Sequence, residues 1–259
     1  GVSTSQLICL KSDNAKYMLT AGKTLKGLSS RMIHSTCWSH ILHLVSKEIR
    51  GKMKLADKYI SSFKSVLVKA PSRREELFDA LEAKGYRRKL PPTPVITRWC
   101  TWLETGSFHH QHLNAELEWL QETEDNSAMI HTLKKICGKV ELKEQLYKIH
   151  GVCAGIASAT KTLEKRDLPS CDVWLLLQNV LDLTQDVLGR ESQKLIAYME
   201  GRHPAISFWN DVQYFDPRKA KQFIEPGSDE RLPSTLNSMA RMEGSAAEEV
   251  WRMPLSLRN

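Results

Sequence analysis

Hydrophobic residues in the first fifty positions predict short strands that alternate with helices. Apolar runs at Leu7–Leu10 and Met32–Ser35 favour two buried strands. Apolar residues at helical spacing follow each run, first over Ala15–Leu25 and then from Cys37 to the residue before Gly51. The succession of strand, helix, strand and helix is typical of an α/β layer.

After Gly51 the pattern becomes almost entirely helical. Two amphipathic helices are predicted on either side of Pro71, because proline lacks the amide hydrogen that would continue a helix. A proline-rich connector, KLPPTPVITRW, follows them and has room for a short strand at Val95–Ile96. Further helices are predicted at Trp102–Gln121, Met129–Cys137, Leu142–Leu163, Val173–Leu188, Ser192–Met199 and Pro233–Trp251.

Together these elements predict a fold of class α/β plus α, with a small α/β part before a larger all-α body. The predicted division is an α/β segment at 1–50, a basic helical segment at 51–90, a helical region at 91–224 and a tail at 225–259. No apolar run reaches the length of a membrane span, so no membrane partner is expected. The six scattered cysteines form no C-x-x-C pair, which is typical of reduced intracellular thiols.

The positive charge of the chain is concentrated in one segment. The formal net charge of the chain is +7. The segment from Lys47 to Lys89 contains 13 Lys and Arg but only 6 Asp and Glu, which accounts for the whole excess, so positive and negative charges are equal in number in the rest of the chain. A local basic stretch attracts polyanions, although a solvated helix face is the alternative interpretation. Eight residues are the predicted phosphate contacts: Lys52, Lys54, Lys58, Lys64, Arg73, Arg74, Arg87 and Arg88.

Asp13 follows the first predicted strand, within the sequence SDNA. A carboxylate in this position can hold a divalent metal ion, which would be Mg²⁺ or Mn²⁺ if the chain were catalytic. Asp, Asn and Ser are also the favoured residues at helix starts, so Ser12, Asp13 or Asn14 can simply cap the next helix. The residues alone favour the cap.

Cys37 and His40 lie three residues apart in HSTCWSH and therefore project to one side of a helix. They are two potential zinc ligands, but a stable structural site needs four, so packing at a strand–helix junction is favoured. The cluster FHHQH, with His109, His110 and His112, also suggests a metal site, and a solvated helix face is the favoured interpretation.

Arg98 and Trp99 stand at the start of the long helical region, in ITRWCTW. The guanidinium of Arg98 can pair with a phosphate or with a carboxylate such as that of Asp13, and Trp99 can stack on an unpaired base. A core tryptophan beside an ordinary salt bridge is the alternative.

Four segments, SDNAKYM, HSTCWSHILHLV, PPTPVITRWCTWLE and YFDPRKA, occur in this order, and through them the chain resembles transposases of the hAT superfamily. The likeness is greatest to domesticated hAT-derived proteins of the CGG-triplet-repeat-binding type and covers roughly residues 6–224. The resemblance implies a partial ribonuclease-H-like α/β core interrupted by a large all-α insertion. It also implies that Asp13 matches the second of three metal-binding carboxylates, that Cys37 and His40 match a Cys-x-x-His element, and that Arg98 and Trp99 match an Arg-Trp element whose Trp handles DNA beside the cut.

The departures from the family pattern bear on catalysis. The first family carboxylate would lie upstream of Gly1, the Ser-Glu-Arg-type motif that carries the third is missing, and so is the zinc-finger DNA reader. One aspartate cannot fix two metal ions. We therefore expect a vestigial carboxylate at Asp13, no bound cofactor and no cutting of DNA unless another chain completes the site.

The leading hypothesis is a domesticated or truncated hAT-type transposase domain without catalysis, located in the nucleus and associated with DNA or chromatin. Its DNA contacts would be electrostatic and non-specific, and it would self-associate or bind a chromatin protein. One alternative is part of an active, metal-dependent DDE-type transposase. The other is a helical module for protein interaction or self-association that binds no nucleic acid.

Overall fold

Helices dominate the described part of the protein, and the two strands found in that part lie close to the amino terminus. The computed structural model describes residues 7, 9–30, 32–95, 100–125, 127–165 and 167–212. Within these ranges a short α/β part precedes a long helical part, so the coarse prediction of α/β plus α is confirmed.

A strand–helix–strand unit opens the fold. It consists of β1 (Cys9–Ser12), α1 (Lys16–Leu28) and β2 (Ile33–Thr36), and the two strands are parallel with Ser12 opposite Thr36. Parallel strands end at the same edge of a sheet, so the residues that follow β1 and those that follow β2 are neighbours. This edge positions the sequence motifs SDNA and HSTCWSH.

Hydrogen bonding moves β1 toward the carboxyl end of its predicted range. The strand was predicted at the apolar run Leu7–Leu10, but β1 begins at Cys9 and extends to the polar residue Ser12. The hydroxyl of Ser12 is buried and lies 2.9 Å from His34 Nε2, while the Ser12 carbonyl accepts the amide of Cys37 at 2.8 Å. These bonds satisfy the buried polar groups and so hold a polar residue inside the sheet.

The helix α1 lies close to β2 because it has a glycine at the point of contact. A Cβ atom built on Gly22 would lie 2.1 Å from His34 Nδ1, which is closer than any real contact. Gly22 is also the one buried residue of α1. The helix continues past Gly27, where its end was predicted, and stops at Leu28.

The remaining helices follow the predicted hydrophobic stripes within a few residues. Pro71 separates two helices as predicted and occupies the first position of the second, where its missing amide hydrogen costs nothing. The bounds are α2 (Trp38–Lys52), α3 (Lys54–Lys69), α4 (Pro71–Ala83), α5 (Thr101–Glu122), α6 (Ala128–Cys137), α7 (Val140–Leu163) and α8 (Ser170–Leu188).

The helix predicted at Ser192–Met199 is divided into three parts. A 3₁₀ turn at Gly189–Ser192 leads into α9 (Gln193–Ala197), and a π turn at Tyr198–Arg202 follows. Gly201 adopts a φ of 152°, which interrupts the helical backbone there. A further short helix, α10 (Ile206–Asp211), was not predicted.

The connector between α4 and α5 is held by threonines of α5. Thr101 Oγ1 accepts the amide of Val95 at 2.9 Å and donates to its carbonyl at 3.2 Å, and Thr105 Oγ1 donates to the Pro92 carbonyl at 2.8 Å. Val95 is not in a strand. The predictions that concern Ile96, Arg98, Trp99, YFDPRKA and the late helix Pro233–Trp251 lie outside the described residues.

Two compact units make up the described chain. The first contains the βαβ unit up to Ile41, together with Leu163–Asn179 and Leu195–Val212. The second contains Leu42–Thr162 and Val180–Lys194. The chain therefore leaves the α/β unit twice, for Leu42–Thr162 and again for Val180–Lys194, and returns to it each time. The finer division into segments at 1–50, 51–90, 91–224 and 225–259 stays a prediction.

Aromatic side chains fill the core of the helical unit. Tyr59 and Phe63 of α3 are fully buried, and Phe63 makes edge-to-face contacts with His109 and Trp119 of α5 at centroid distances of 4.8 and 5.5 Å. Apolar residues at helical spacing on α3 therefore face α5, and the opposite face of α3 is left to solvent.

Candidate functional site

Asp13 lies just beyond the end of β1, with its side chain exposed to solvent. Its Oδ1 accepts the backbone amide of Ala15 at 3.1 Å. The cap of α1 is Ala15, which makes no side-chain capping bond, so the expectation that Ser12, Asp13 or Asn14 is the cap residue is wrong. The carboxylate of Asp13 instead closes the turn that precedes the helix.

The described residues provide no further metal ligands beside Asp13. Among the described residues no group of three or more His, Cys, Asp and Glu side chains is arranged to hold a metal ion. A divalent metal bound to oxygen ligands needs several of them, and one exposed carboxylate supplies too few. The metal role of Asp13 stays a prediction.

Cys37 and His40 lie at the same strand edge, at the transition from β2 to α2. The amide of Cys37 bonds to the Ser12 carbonyl, and its own carbonyl accepts the amide of Ile41 at 3.1 Å. Both side chains are half-buried. Cys37 therefore joins the two strands through its backbone, and a role of either side chain in metal binding stays a prediction.

Two buried histidines lie behind this edge. His34 is 5% exposed, and burial together with the nearby Lys26 lowers its pKa. Burial lowers the pKa of His203 to about 4; its bond to the Thr36 carbonyl opposes that shift, and His34 adds to it. His203 Nε2 donates to this carbonyl at 3.3 Å, and Nδ1 accepts the amide of Ala205 at 3.1 Å. These two bonds require the neutral ring, protonated on Nε2.

A cluster of indole rings surrounds His203. Trp38 stacks on the imidazole with a centroid distance of 4.5 Å and an interplanar angle of 14°, and Trp209 meets Trp38 edge to face at 5.8 Å. Trp174 completes the cluster, with its ring centroid 6.1 Å from that of Trp38. The apolar spacing along α8 predicts that Trp174 lies in the core. Sequence reasoning missed His203 and Trp209, because α10 is too short to show a helical period.

A cleft of about 410 Å³ opens at the carboxyl end of β2. Its wall includes residues 35–39, where β2 passes into the first turn of α2, and Trp209. Lys11, Lys165 and Asp167 are exposed and provide its charges. In parallel α/β arrangements, ligands bind at the carboxyl ends of strands, so this cleft is where a small molecule is expected.

Three of the eight predicted phosphate contacts are engaged inside the helical unit. Arg73 bonds to Asp125 Oδ2 through Nε at 2.7 Å, and Arg74 Nε donates to the Leu67 carbonyl at 2.8 Å. Arg88 bonds to Glu82 at 3.0 Å and to Asp79 at 3.3 Å and lies over a phenylalanine ring. Each of these guanidinium groups already has acceptors, so its role at a phosphate stays a prediction.

The other five side chains are exposed: Lys52, Lys54, Lys58, Lys64 and Arg87. No ion pair joins any of them to another residue within the described ranges. Lys54, Lys58 and Lys64 lie on the solvent side of α3, opposite the buried Tyr59 and Phe63.

Asp57 is the acidic residue of α3 and does not neutralise these lysines. One of its carboxylate oxygens binds Arg50 Nε at 2.8 Å and Trp102 Nε1 at 2.9 Å. The outer face of α3, defined by Lys54, Lys58 and Lys64, therefore keeps its positive charge.

The histidine cluster FHHQH is not a solvated face, and that expectation is wrong. His109 is 1% exposed, and its Nδ1 lies 2.8 Å from one carboxylate oxygen of Glu116 and 3.0 Å from the other. The half-buried His110 stacks on His150 at a centroid distance of 4.7 Å, and His112 stacks on Phe108 at 4.0 Å. The three rings thus serve packing in three different places.

Comparison with known proteins does not assign the chain to a family. No family model, curated protein or solved structure matches it significantly. Among the residues that the structure describes, no helix is both long and apolar enough to cross a membrane.

Proposed function

We propose that this chain is a catalytically inactive, ribonuclease-H-like module derived from an hAT-type transposase, and that it associates with DNA in the nucleus. The ordered motifs around Asp13, Cys37 and Arg98 support the derivation. The parallel βαβ segment is itself continuous, but the compact unit that contains it is interrupted along the sequence by a large helical unit, which is in keeping with a core that carries an insertion.

The observation that carries the DNA proposal is the outer face of α3. Lys54, Lys58 and Lys64 are exposed on one helix, and the acidic residue beside them is bound to Arg50 and Trp102. Uncompensated ammonium groups attract the phosphate backbone, and binding releases the counterions condensed on DNA. Such contacts position a protein on a duplex and do not read its sequence.

The first prediction concerns a charge-reversed variant of this face. K54E/K58E/K64E is expected to weaken binding to a fluorescein-labelled duplex at least about tenfold at low salt, because it replaces phosphate attraction by repulsion. For the unaltered chain, the slope of log K against log salt is expected to be about −2.7 if only these three lysines contact phosphates. Fluorescence anisotropy at three salt concentrations measures both quantities.

The matched control has the same change in net charge at a different surface. K135E/K139E/K143E alters three exposed lysines at the junction of α6 and α7. It is expected to bind DNA much more tightly than the α3 variant. Equal losses of DNA affinity in the two variants would show that only the net charge matters. DNA binding by the unaltered chain that does not change with salt concentration would refute the proposal.

The second prediction concerns catalysis at Asp13. With Mg²⁺ or Mn²⁺ present, the chain is expected to leave supercoiled DNA intact, since the described residues around this exposed carboxylate do not form a metal site. Agarose-gel analysis of plasmid nicking measures this. Nicking that requires Mn²⁺ and disappears in Asp13→Ala would contradict the proposal of an inactive module and support that of an active transposase.

A further inference from the structure

The cleft at the carboxyl end of β2 is lined by three residues that each have a buried polar atom without a partner in the described chain. Thr36, Trp38 and Trp209 each line it, and their exposed fractions are 0%, 4% and 7%. The Thr36 hydroxyl and the two indole nitrogens make no hydrogen bond within the part of the chain that the structure describes. Buried polar atoms are rarely left unpaired, so three at one cleft indicate a missing partner.

These groups are almost all hydrogen-bond donors. An indole N–H only donates, and so does the ammonium group of a lysine; a hydroxyl can donate as well. Lys11 and Lys165 on the rim add positive charge, which the carboxylate of Asp167 offsets only in part among the described residues of the lining. A ligand that meets these groups must therefore accept hydrogen bonds and carry negative charge.

The first turn of α2 adds donors of the same kind. This 15-residue helix starts at Trp38 and has no acidic residue in its first turn. The amide of Ile41 makes its bond back to Cys37, so the amides of Trp38 and Ser39 lie ahead of the hydrogen-bond ladder of the helix. The amino end of a helix attracts anions through these amides and the helix dipole.

From these observations we propose that the cleft binds a phosphoryl group. A phosphoryl dianion offers several oxygens that only accept, which matches two indole N–H groups, one hydroxyl, two ammonium groups and a helix terminus. The cleft, at about 410 Å³, is within the range of small-molecule sites and has room for more than the phosphoryl group itself. The site does not rest on the DNA contacts proposed for α3, because its residues all belong to the α/β unit.

Three ligands separate the sources of the phosphoryl group in isothermal titration calorimetry of the whole chain. Inorganic phosphate tests the group alone, and a nucleoside 5′-monophosphate tests a small ester. A short oligonucleotide with a 5′-phosphate, compared with the same strand bearing a 5′-hydroxyl, tests a nucleic-acid end. Saturable binding of phosphate or of the monophosphate supports the site, and so does tighter binding of the 5′-phosphorylated strand than of its 5′-hydroxyl counterpart. The ligand with the largest such affinity indicates the source of the phosphoryl group. No binding by any of them would overturn it.

Two variants locate the binding. K11A/K165A is expected to weaken it at least about tenfold, since it removes both ammonium groups. Thr36→Val removes the unpartnered hydroxyl with little change of shape and is expected to weaken binding about fivefold without loss of thermal stability. Undiminished binding in both variants would place the ligand elsewhere and refute the proposal.

Matched controls exclude general effects of charge and folding. K16A/K23A removes two exposed lysines of α1 that do not line the cleft. Thr184→Val removes a buried hydroxyl that already donates to the Leu181 carbonyl at 2.9 Å. Both are expected to bind phosphate like the unaltered chain, and a loss in either as large as in its counterpart would refute a role for the cleft residues.

The indole resonances give a direct readout. The chain has seven tryptophans, and each contributes one indole N–H signal to a ¹H–¹⁵N spectrum. The signal that disappears in Trp209→Phe is that of Trp209. The signals of Trp38 and Trp209 are expected to move on titration with inorganic phosphate. Shifts confined to other indoles would contradict the proposed site.

Discussion

Replacement of Glu116 by alanine is expected to lower the free energy of unfolding by about 3–5 kcal/mol. Glu116 is 0% exposed inside the helical unit, and its carboxylate accepts the hydroxyl of Tyr59 at 2.7 Å. His109 Nδ1 lies within 3.0 Å of both carboxylate oxygens. Alanine would leave these two buried polar groups without their partner and would open a cavity between α3 and α5.

The buried position of this network explains the size of the effect. Tyr59 is fully buried, and burial together with the carboxylate of Glu116 raises the pKa of its phenol well above the usual range. Burial also raises the pKa of Cys137, beside Tyr59, to about 12. Both groups are therefore neutral, and Tyr59 depends on Glu116 as its fixed acceptor.

Chemical denaturation followed by circular dichroism measures the loss. Glu118→Ala, on the same helix, is the matched control, because its exposed ion pair with Lys84 is screened by water, and stability is expected to change little. Tyr59→Phe removes one bond of the network and is expected to cost about 1–3 kcal/mol. If Glu116→Ala were no less stable than Glu118→Ala, the network would not stabilise the fold.

Periodicity was enough to predict the helices that carry a continuous apolar stripe. In α8 the residues Trp174, Leu177 and Val180 are buried as the spacing predicts. The break at Pro71 was also predictable, since the chemistry of proline acts locally. Such signals need no knowledge of distant residues.

Where a polar side chain finds its partner far along the chain, local pattern misleads. His109 belongs to a run of histidines and looks solvated, yet it is buried by Phe63 and Tyr59, which are almost fifty residues away in sequence. One local signal was available: Glu116 lies seven residues later, on the same face of the helix. The burial of that pair depends on α3, which no spacing within α5 reveals.

The candidate phosphoryl site shows the same limit. The residues HSTCWS were recognisable from the sequence as a strand–helix junction, and Cys37 and His40 were the candidate ligands predicted there. The unpartnered atoms belong instead to Thr36, Trp38 and Trp209. Trp209 reaches this junction from more than 170 residues away, on a helix of six residues that has too few turns for a periodic pattern.

The protein is expected to lose about 2 kcal/mol of stability between pH 7.5 and pH 5.0 through His203 alone. The pKa of His203 is lowered to about 4 in the folded chain, mainly by burial, whereas a histidine in the unfolded chain has its ordinary pKa of about 6.5. Between these values the unfolded state binds more protons, so stability falls as the pH falls through this window and is fully present above it. Protonation would place a hydrogen on Nδ1, where the amide of Ala205 now donates.

Urea denaturation at a series of pH values between 7.5 and 5.0 measures this dependence in the unaltered chain and in His203→Gln. Glutamine can still donate toward the Thr36 carbonyl but does not titrate, so the variant is expected to show a flatter dependence at whatever stability it starts from. His131→Gln is the matched control, because it makes the same substitution at an exposed position. An equal slope in the chain and in His203→Gln would mean that another group, such as the buried His34, governs the acid response.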